Sequence, residues 1–109
     1  MQAYIQIVTT TDTRETAMRI ARFLVEKRLA ACVQIDGPIT SLYRWKGSVE
    51  EETEWRCVIK SRSDLFGEIR DAIRDMHPYE VPEIVATELD QVAESYRQWL
   101  EDATLPEEP

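Results

Sequence analysis

Ile39-Thr40-Ser41-Leu42-Tyr43-Arg44-Trp45-Lys46-Gly47-Ser48-Val49 is the stretch that decides the fold of this chain. β-Branched and aromatic residues lead into Lys46-Gly47-Ser48, which reads as a hairpin turn. The return arm runs from about Val49 to Lys60. In its second half Trp55, Cys57 and Ile59 share one side and Glu54, Arg56, Val58 and Lys60 the other, the period-2 signature of a strand. Upstream, residues 30–36 (Ala-Ala-Cys-Val-Gln-Ile-Asp) are also strand-like. Gly37-Pro38 then bends or bulges the run, since proline cannot donate to a ladder. Strands are usually about 5–6 residues long, and each arm of this ribbon extends roughly twice that.

Working outward, residues 3–9 are β-branched and aromatic and read as a first strand. Asp12 followed by Glu15 resembles a capping box, and Ala17, Ile20, Ala21, Leu24 and Val25 then mark one face of a helix reaching about Leu29. Beyond the ribbon, Ser63 is placed to cap a second helix with the stripe Leu65, Ile69, Ala72, Ile73 and Met76. Residues 83–89 read as a fourth strand. A short helix near 91–101 follows, with Val92, Tyr96, Trp99 and Leu100 as its expected buried side. The order β-α-β-β-α-β plus a terminal helix predicts an α+β, ferredoxin-like split βαβ fold: an antiparallel sheet with helices on one face. It fills one domain, residues 1–103, with an acidic tail at 104–109 expected to fray. Tyr43, Trp45, Val49 and Trp55 give the far end of the ribbon more apolar surface than a monomer could cover, which predicts a homo-oligomer.

A net charge of −8 argues against nucleic acid and against docking on anionic lipid, both of which need a Lys/Arg-rich face. No apolar run is long enough to span a bilayer, and the first residues lack the basic-then-apolar order of a signal peptide. The expected compartment is the cytoplasm. Cys32 and Cys57 fit it as free thiols, and without a Cys-x-x-Cys pair they do not suggest a closed zinc site.

Chemistry concentrates in His77-Pro78-Tyr79-Glu80-Val81-Pro82-Glu83, a stiff connector that holds the only histidine in the sequence. A neutral imidazole is a good copper or zinc ligand, and Glu80, Glu83 or an acidic group of a neighbouring subunit could complete a site. The structural alternative makes His77 a helix C-cap. Cys32 is a candidate soft ligand, though a mid-strand cysteine also packs as a small hydrophobe, and for Cys57 packing leads. Tyr43, Trp45 and Tyr79 are a candidate aromatic ligand wall, or an interface, and both hold if a cleft lies between subunits. Lys60 and Arg62, before a helix start, offer a weak anion signal. Glu50-Glu51-Glu52 reads as a solvated turn. The sequence has no phosphate-cradling glycine loop and no assignable triad, so catalysis is not expected.

A set of blocks carries a family resemblance: Ala30-Ala31-Cys32-Val33, Ser41 to Gly47, Glu54-Trp55, Ile59-Lys60-Ser61, His77-Pro78-Tyr79 with Val81-Pro82-Glu83, then Tyr96 and Trp99. In order and spacing, from about residue 4 to 100, the chain resembles the CutA family of divalent-cation tolerance proteins. The resemblance implies a tight homotrimer with long hairpins reaching onto neighbours, similar in architecture to PII signal-transduction trimers, and a link to Cu²⁺ and other divalent ions. Some members carry a cysteine at the end of the first strand and a histidine pair before Pro-Tyr. Here Thr9-Thr10 and Met76 stand at those places, so His77 remains of that set. The expected function is therefore a non-enzymatic, trimeric divalent-cation tolerance protein. It would bind Cu²⁺ or a similar ion weakly through His77, with Cys32 as a further candidate, and without an organic cofactor. The alternative is a PII-like signalling trimer that binds a small anionic effector at subunit clefts near Tyr43, Trp45, Lys60, Tyr79 and Glu83.

Overall fold

The computed structural model describes residues 3–106, so the first two residues and the end of the acidic tail, 107–109, lie outside the described part. The elements are β1 (Tyr4–Thr11), α1 (Arg14–Glu26), β2 (Cys32–Trp45), β3 (Ser48–Arg62), a 3₁₀ turn (Ser63–Leu65), α2 (Phe66–Met76), β4 (Val85–Glu88) and α3 (Glu94–Ala103). The strands form one antiparallel sheet in the order β2-β3-β1-β4. This is the expected ferredoxin-like arrangement, with hairpin arms of 14 and 15 residues.

The alternation read in β3 holds. Cys57 and Ile59 are buried with Ile5 and Ile7 of β1 against Ala17, Ile20 and Leu24 of α1 and Ile69 and Ile73 of α2. This layer contains the core. The third helix departs from the expectation of one helical face. Its Leu100 packs with Tyr4, which alternates with Ile5 and so lies on the opposite side of the sheet. That side is thus covered by α3 at one end, while the hairpin end has no helix over it. Of the four residues expected to be buried on α3, Leu100 is buried and Val92 half-buried, but Tyr96 and Trp99 are 39% and 47% exposed. Helical periodicity marks an apolar stripe without saying what covers it, and here this stripe is only partly covered.

Local chemistry corrects three boundaries. Thr13, not Asp12, caps α1: its Oγ1 accepts from the Thr16 N–H at 3.1 Å. Ser63 opens a 3₁₀ turn with no side-chain cap bond, and α2 starts at Phe66. Residues 104 and 105 are docked rather than frayed. The Arg62 guanidinium donates to Thr104 Oγ1 and O at 3.1 and 3.2 Å, and Arg28 donates to the carbonyls of Asp102, at 2.6 Å, and Leu105. Two arginines distant in sequence thus satisfy carbonyls at and beyond the end of α3 that the helix itself leaves free.

The hairpin turn is Lys46-Gly47, with Ser48 already paired to Trp45. Both turn residues have positive φ (47° and 84°), the primed-turn geometry that matches strand twist. At Gly37-Pro38 the ladder slips. Asp36 pairs Arg56 and Ile39 pairs Glu54, three steps along β2 against two along β3, so β2 carries a β-bulge of one extra residue. Gly37 leaves no room for a side chain beside the Trp55 ring. Beside the bulge, Arg56 donates two bonds to the Asp36 carboxylate at 3.1 and 2.9 Å. This bond, ahead of the Coulombic attraction, holds Asp36 below the ordinary carboxylate range.

Candidate ligand cleft

The loop 77–83 runs from α2 to β4 and owes its course to prolines. His77 is extended (φ −86°, ψ 134°), as a residue before proline must be, and so α2 stops at Met76. The His77 ring is 9% exposed, and both its nitrogens are engaged. Nε2 lies 2.8 Å from the carbonyl oxygen of Thr10 on β1. A carbonyl only accepts, so Nε2 carries the proton and donates. Nδ1 accepts from the Tyr79 backbone N–H at 3.2 Å. The two rings pack at 4.6 Å between centroids. Tyr79 in turn donates its phenol to Glu54 Oε2 on β3 at 2.7 Å. Thr10, His77, Tyr79 and Glu54 therefore link the loop to two strands. The Tyr79 phenol is pushed well above its usual range, first by burial and then by the bond to the Glu54 carboxylate.

Between this loop and the hairpin lies a cleft of about 760 Å³. Tyr43, Arg44 and Trp45 of β2 form one wall, residues 79–83 the other, and Glu54 with Thr10 lies at the sheet side. Glu54 is 5% exposed, and Glu80 and Glu83 add two further carboxylates to the lining. The field is negative enough to raise the Tyr43 phenol, after desolvation, through Glu52, Glu54 and Glu50. At the mouth, the Lys46 ammonium sits 5.5 Å from the Trp45 ring centroid and 3.9 Å from Glu80 Oε2.

The fold thus brings Tyr43, Trp45, Tyr79 and Glu83 together, with His77 packed behind Tyr79. It does not bring Lys60 and Cys32 there. These two pair with each other across β2 and β3, four positions from Arg56, the partner of Thr10. At about 3.3 Å per residue that is roughly 13 Å along the strands. Lys60 donates to Gln34 Oε1 at 3.2 Å, and Cys32 lies beside the phenol of Tyr96. Sequence reasoning misses Glu54 and Thr10 as cleft residues, and it names Glu80 only as a possible metal partner of His77. The block Glu54-Trp55 was the available signal for the first. Among the described residues, no three His, Cys, Asp or Glu groups cluster to hold a metal ion.

The other thiol serves the core. Cys57 Sγ lies 3.7 Å from the Ala17 carbonyl, and burial, with a smaller effect from Asp36, pushes its pKa from 9.0 up to about 11. The folded thiol stays neutral where the unfolded one ionises. Its stabilising contribution is therefore complete below about pH 9 and is lost as pH rises toward 11. Two results are expected: denaturant midpoints that fall over that window, and iodoacetamide labelling of Cys57 at pH 8 that proceeds only as fast as the chain opens. Rapid labelling of the native protein would contradict this placement.

Comparison with known proteins agrees with the geometry. The family model described as CutA1 divalent ion tolerance protein matches residues 5–103. Protein CutA of Homo sapiens is 44% identical over 95 residues, 87% of this chain and 53% of that protein. The divalent-cation tolerance protein CutA of Thermus thermophilus is 40% identical over 98 residues, 90% of this chain and 95% of that protein. This chain therefore spans about half the length of the human relative and nearly all of the bacterial one. Among solved structures, the periplasmic divalent cation tolerance protein CutA of Archaeoglobus fulgidus superposes with a TM-score of 0.91 at 37% identity, covering 94% of this chain and 99% of that one.

Proposed function

This chain belongs to the CutA1 divalent ion tolerance family, and on that premise we propose that it contributes to divalent-cation tolerance as a cytoplasmic, non-enzymatic homotrimer that holds Cu²⁺ or a similar ion weakly. The family match over residues 5–103 carries this reading. Assembly is supported by what one subunit leaves bare. Leu42 and Val49 on the hairpin are 66% and 65% exposed, and Tyr43, Trp45, Val81 and Val85 are exposed as well. Such a surface is large for a monomer and suits an interface.

Weak binding follows from the site. An ion at His77 has to take Nδ1 from the Tyr79 N–H, because Nε2 is the donor to Thr10. Losing that bond costs about 1 kcal/mol. Carboxylates of the loop, or of a neighbouring subunit, would be the remaining ligands. Cys32 stands apart from them and would act only with groups at the other end of the sheet. An anionic effector is less well served, since the cleft lining has three carboxylates and Lys60 lies outside it.

Light scattering is expected to give a mass near three times the 12.7 kDa of one chain. Calorimetric titration with Cu²⁺ is expected to show weak, saturable binding that falls by about tenfold or more, ~1.4 kcal/mol, in His77→Gln. A monomer mass would remove the assembly. Unchanged affinity in the variant would remove His77 as a ligand.

A further inference from the structure

We infer that the cleft between the hairpin and the 77–83 loop receives a small alkylammonium cation. The inference rests on the loop and assembly of the reading above, and names a second ligand class for the cleft that lies in front of His77. The wall chemistry sets the class. Tyr43, Trp45 and Tyr79 present aromatic groups, and Glu54, Glu80 and Glu83 present carboxylates, while Arg44 is the one basic residue of the lining and its strand position turns its side chain to the face away from Glu54. A hard divalent ion gains from the carboxylates and nothing from the rings, since it is bound through oxygen. An ammonium gains from both: the ring faces attract it through their quadrupoles, and the carboxylates pair with its charge. An anion meets the wrong sign.

An independent observation is already in place at the mouth of the cleft. The ammonium of Lys46 lies over the Trp45 ring, 5.5 Å from its centroid, and 3.9 Å from Glu80 Oε2. A tethered alkylammonium thus occupies the kind of position that a free one would take. The contact is loose, since both side chains are 72% exposed, so a free ligand can displace it. Deeper in the cleft, Glu54 is buried and fixed by the Tyr79 phenol at 2.7 Å, and so presents its charge without needing to reorganise.

The test is an NMR titration of the full chain in its native assembly. Butylammonium, which has the length of a lysine side chain, is followed at the Trp45 indole N–H. Potassium is exchanged for it at constant ionic strength, so that diffuse attraction to the net charge of −8 cancels. The expected result is a saturable shift with butylammonium and none with 1-pentanol or acetate. Lys46→Gln, which removes the tethered competitor, should tighten binding by about threefold, and Glu80→Gln should weaken it by about fivefold, shifts of ~0.7 and ~1 kcal/mol. Three results would overturn the inference: no saturable shift in Lys46→Gln, an equal shift with 1-pentanol, or Glu80→Gln and Glu54→Gln both binding as the parent does. A cleft filled by a second copy of the chain would give the first of these. Cu²⁺ titrations on the same samples separate the readings. Copper binding without butylammonium binding removes this inference alone. Butylammonium binding without copper binding removes the metal site and leaves the cleft.

Discussion

Gly37→Ala is expected to lower the stability of this protein by about 2–4 kcal/mol, an overpacking penalty joined to backbone strain. A Cβ at Gly37 would lie 2.5 Å from Trp55 Cε3, 2.9 Å from Cδ2 and 3.2 Å from the Glu54 carbonyl oxygen. The first two atoms belong to a rigid indole and the third to backbone, so none is a flexible end that can swing aside. Trp55 is itself packed against the core, which blocks its retreat. The backbone at φ +155° adds strain for any side chain. Gly47 supplies the contrast. A methyl added there would meet nothing within 4 Å, and φ is +84°, so Gly47→Ala should cost only about 1 kcal/mol, from conformation alone. Urea midpoints measure both. In a Trp55→Ala background the Gly37→Ala penalty should fall by half or more, and a penalty that stays undiminished there would show that the ring contact is not its cause.

His77→Ala should cost about 2–4 kcal/mol, close to the first. The change deletes a buried ring, orphans the Thr10 carbonyl and leaves the Tyr79 N–H without its acceptor. Because Tyr79 carries the loop to Glu54, the loss spreads to the cleft wall. Hydrogen exchange at the Tyr79 amide should therefore accelerate by more than the global stability change accounts for. Glutamine can restore the donor to Thr10 but not the ring packing, so His77→Gln should recover part of the loss. A His77→Ala protein within about 0.5 kcal/mol of the parent would show that the ring does not pin the loop.

How much of this was legible in the sequence depends on where each partner sits along the chain. The βαββαβ order, the long ribbon and the two-sided pattern of β3 are local signals, and they appear in the structure as read. The cap of α1 lies one residue past the expected Asp12, because Asp and Thr are both good caps and the choice rests on which of them reaches the Thr16 N–H. The docking of Thr104 depends on Arg62, and that of Leu105 on Arg28, distant partners that no window along the chain contains. The site divides in the same way. Tyr43, Trp45, Tyr79 and Glu83 could be singled out by residue type and are neighbours. Residue chemistry alone groups Lys60 with Tyr79, and the register of β3 against β1 separates them. The ends of β4 and α3 also shifted, because Val85–Glu88 is short and the segment before Glu94 is irregular.

The bulge at Gly37 is also a change of phase. Before it, Ile35 pairs with Cys57 and so faces the helices. After it, Ile39 pairs with Glu54, and Tyr43 and Trp45 follow at the same parity, so the odd-numbered residues of β2 cross to the opposite side of the sheet. A ribbon in strict register would have sent Leu42 and Arg44 toward Glu54 and turned the two aromatic rings away. One supernumerary residue thus decides which half of the hairpin's side chains meets the His-Pro-Tyr loop. Deleting that residue would remove the bulge yet keep Ile39 opposite Glu54 and both rings on this side, whereas flattening the bulge at full length would bring Leu42 and Arg44 to the face where the aromatic wall now stands.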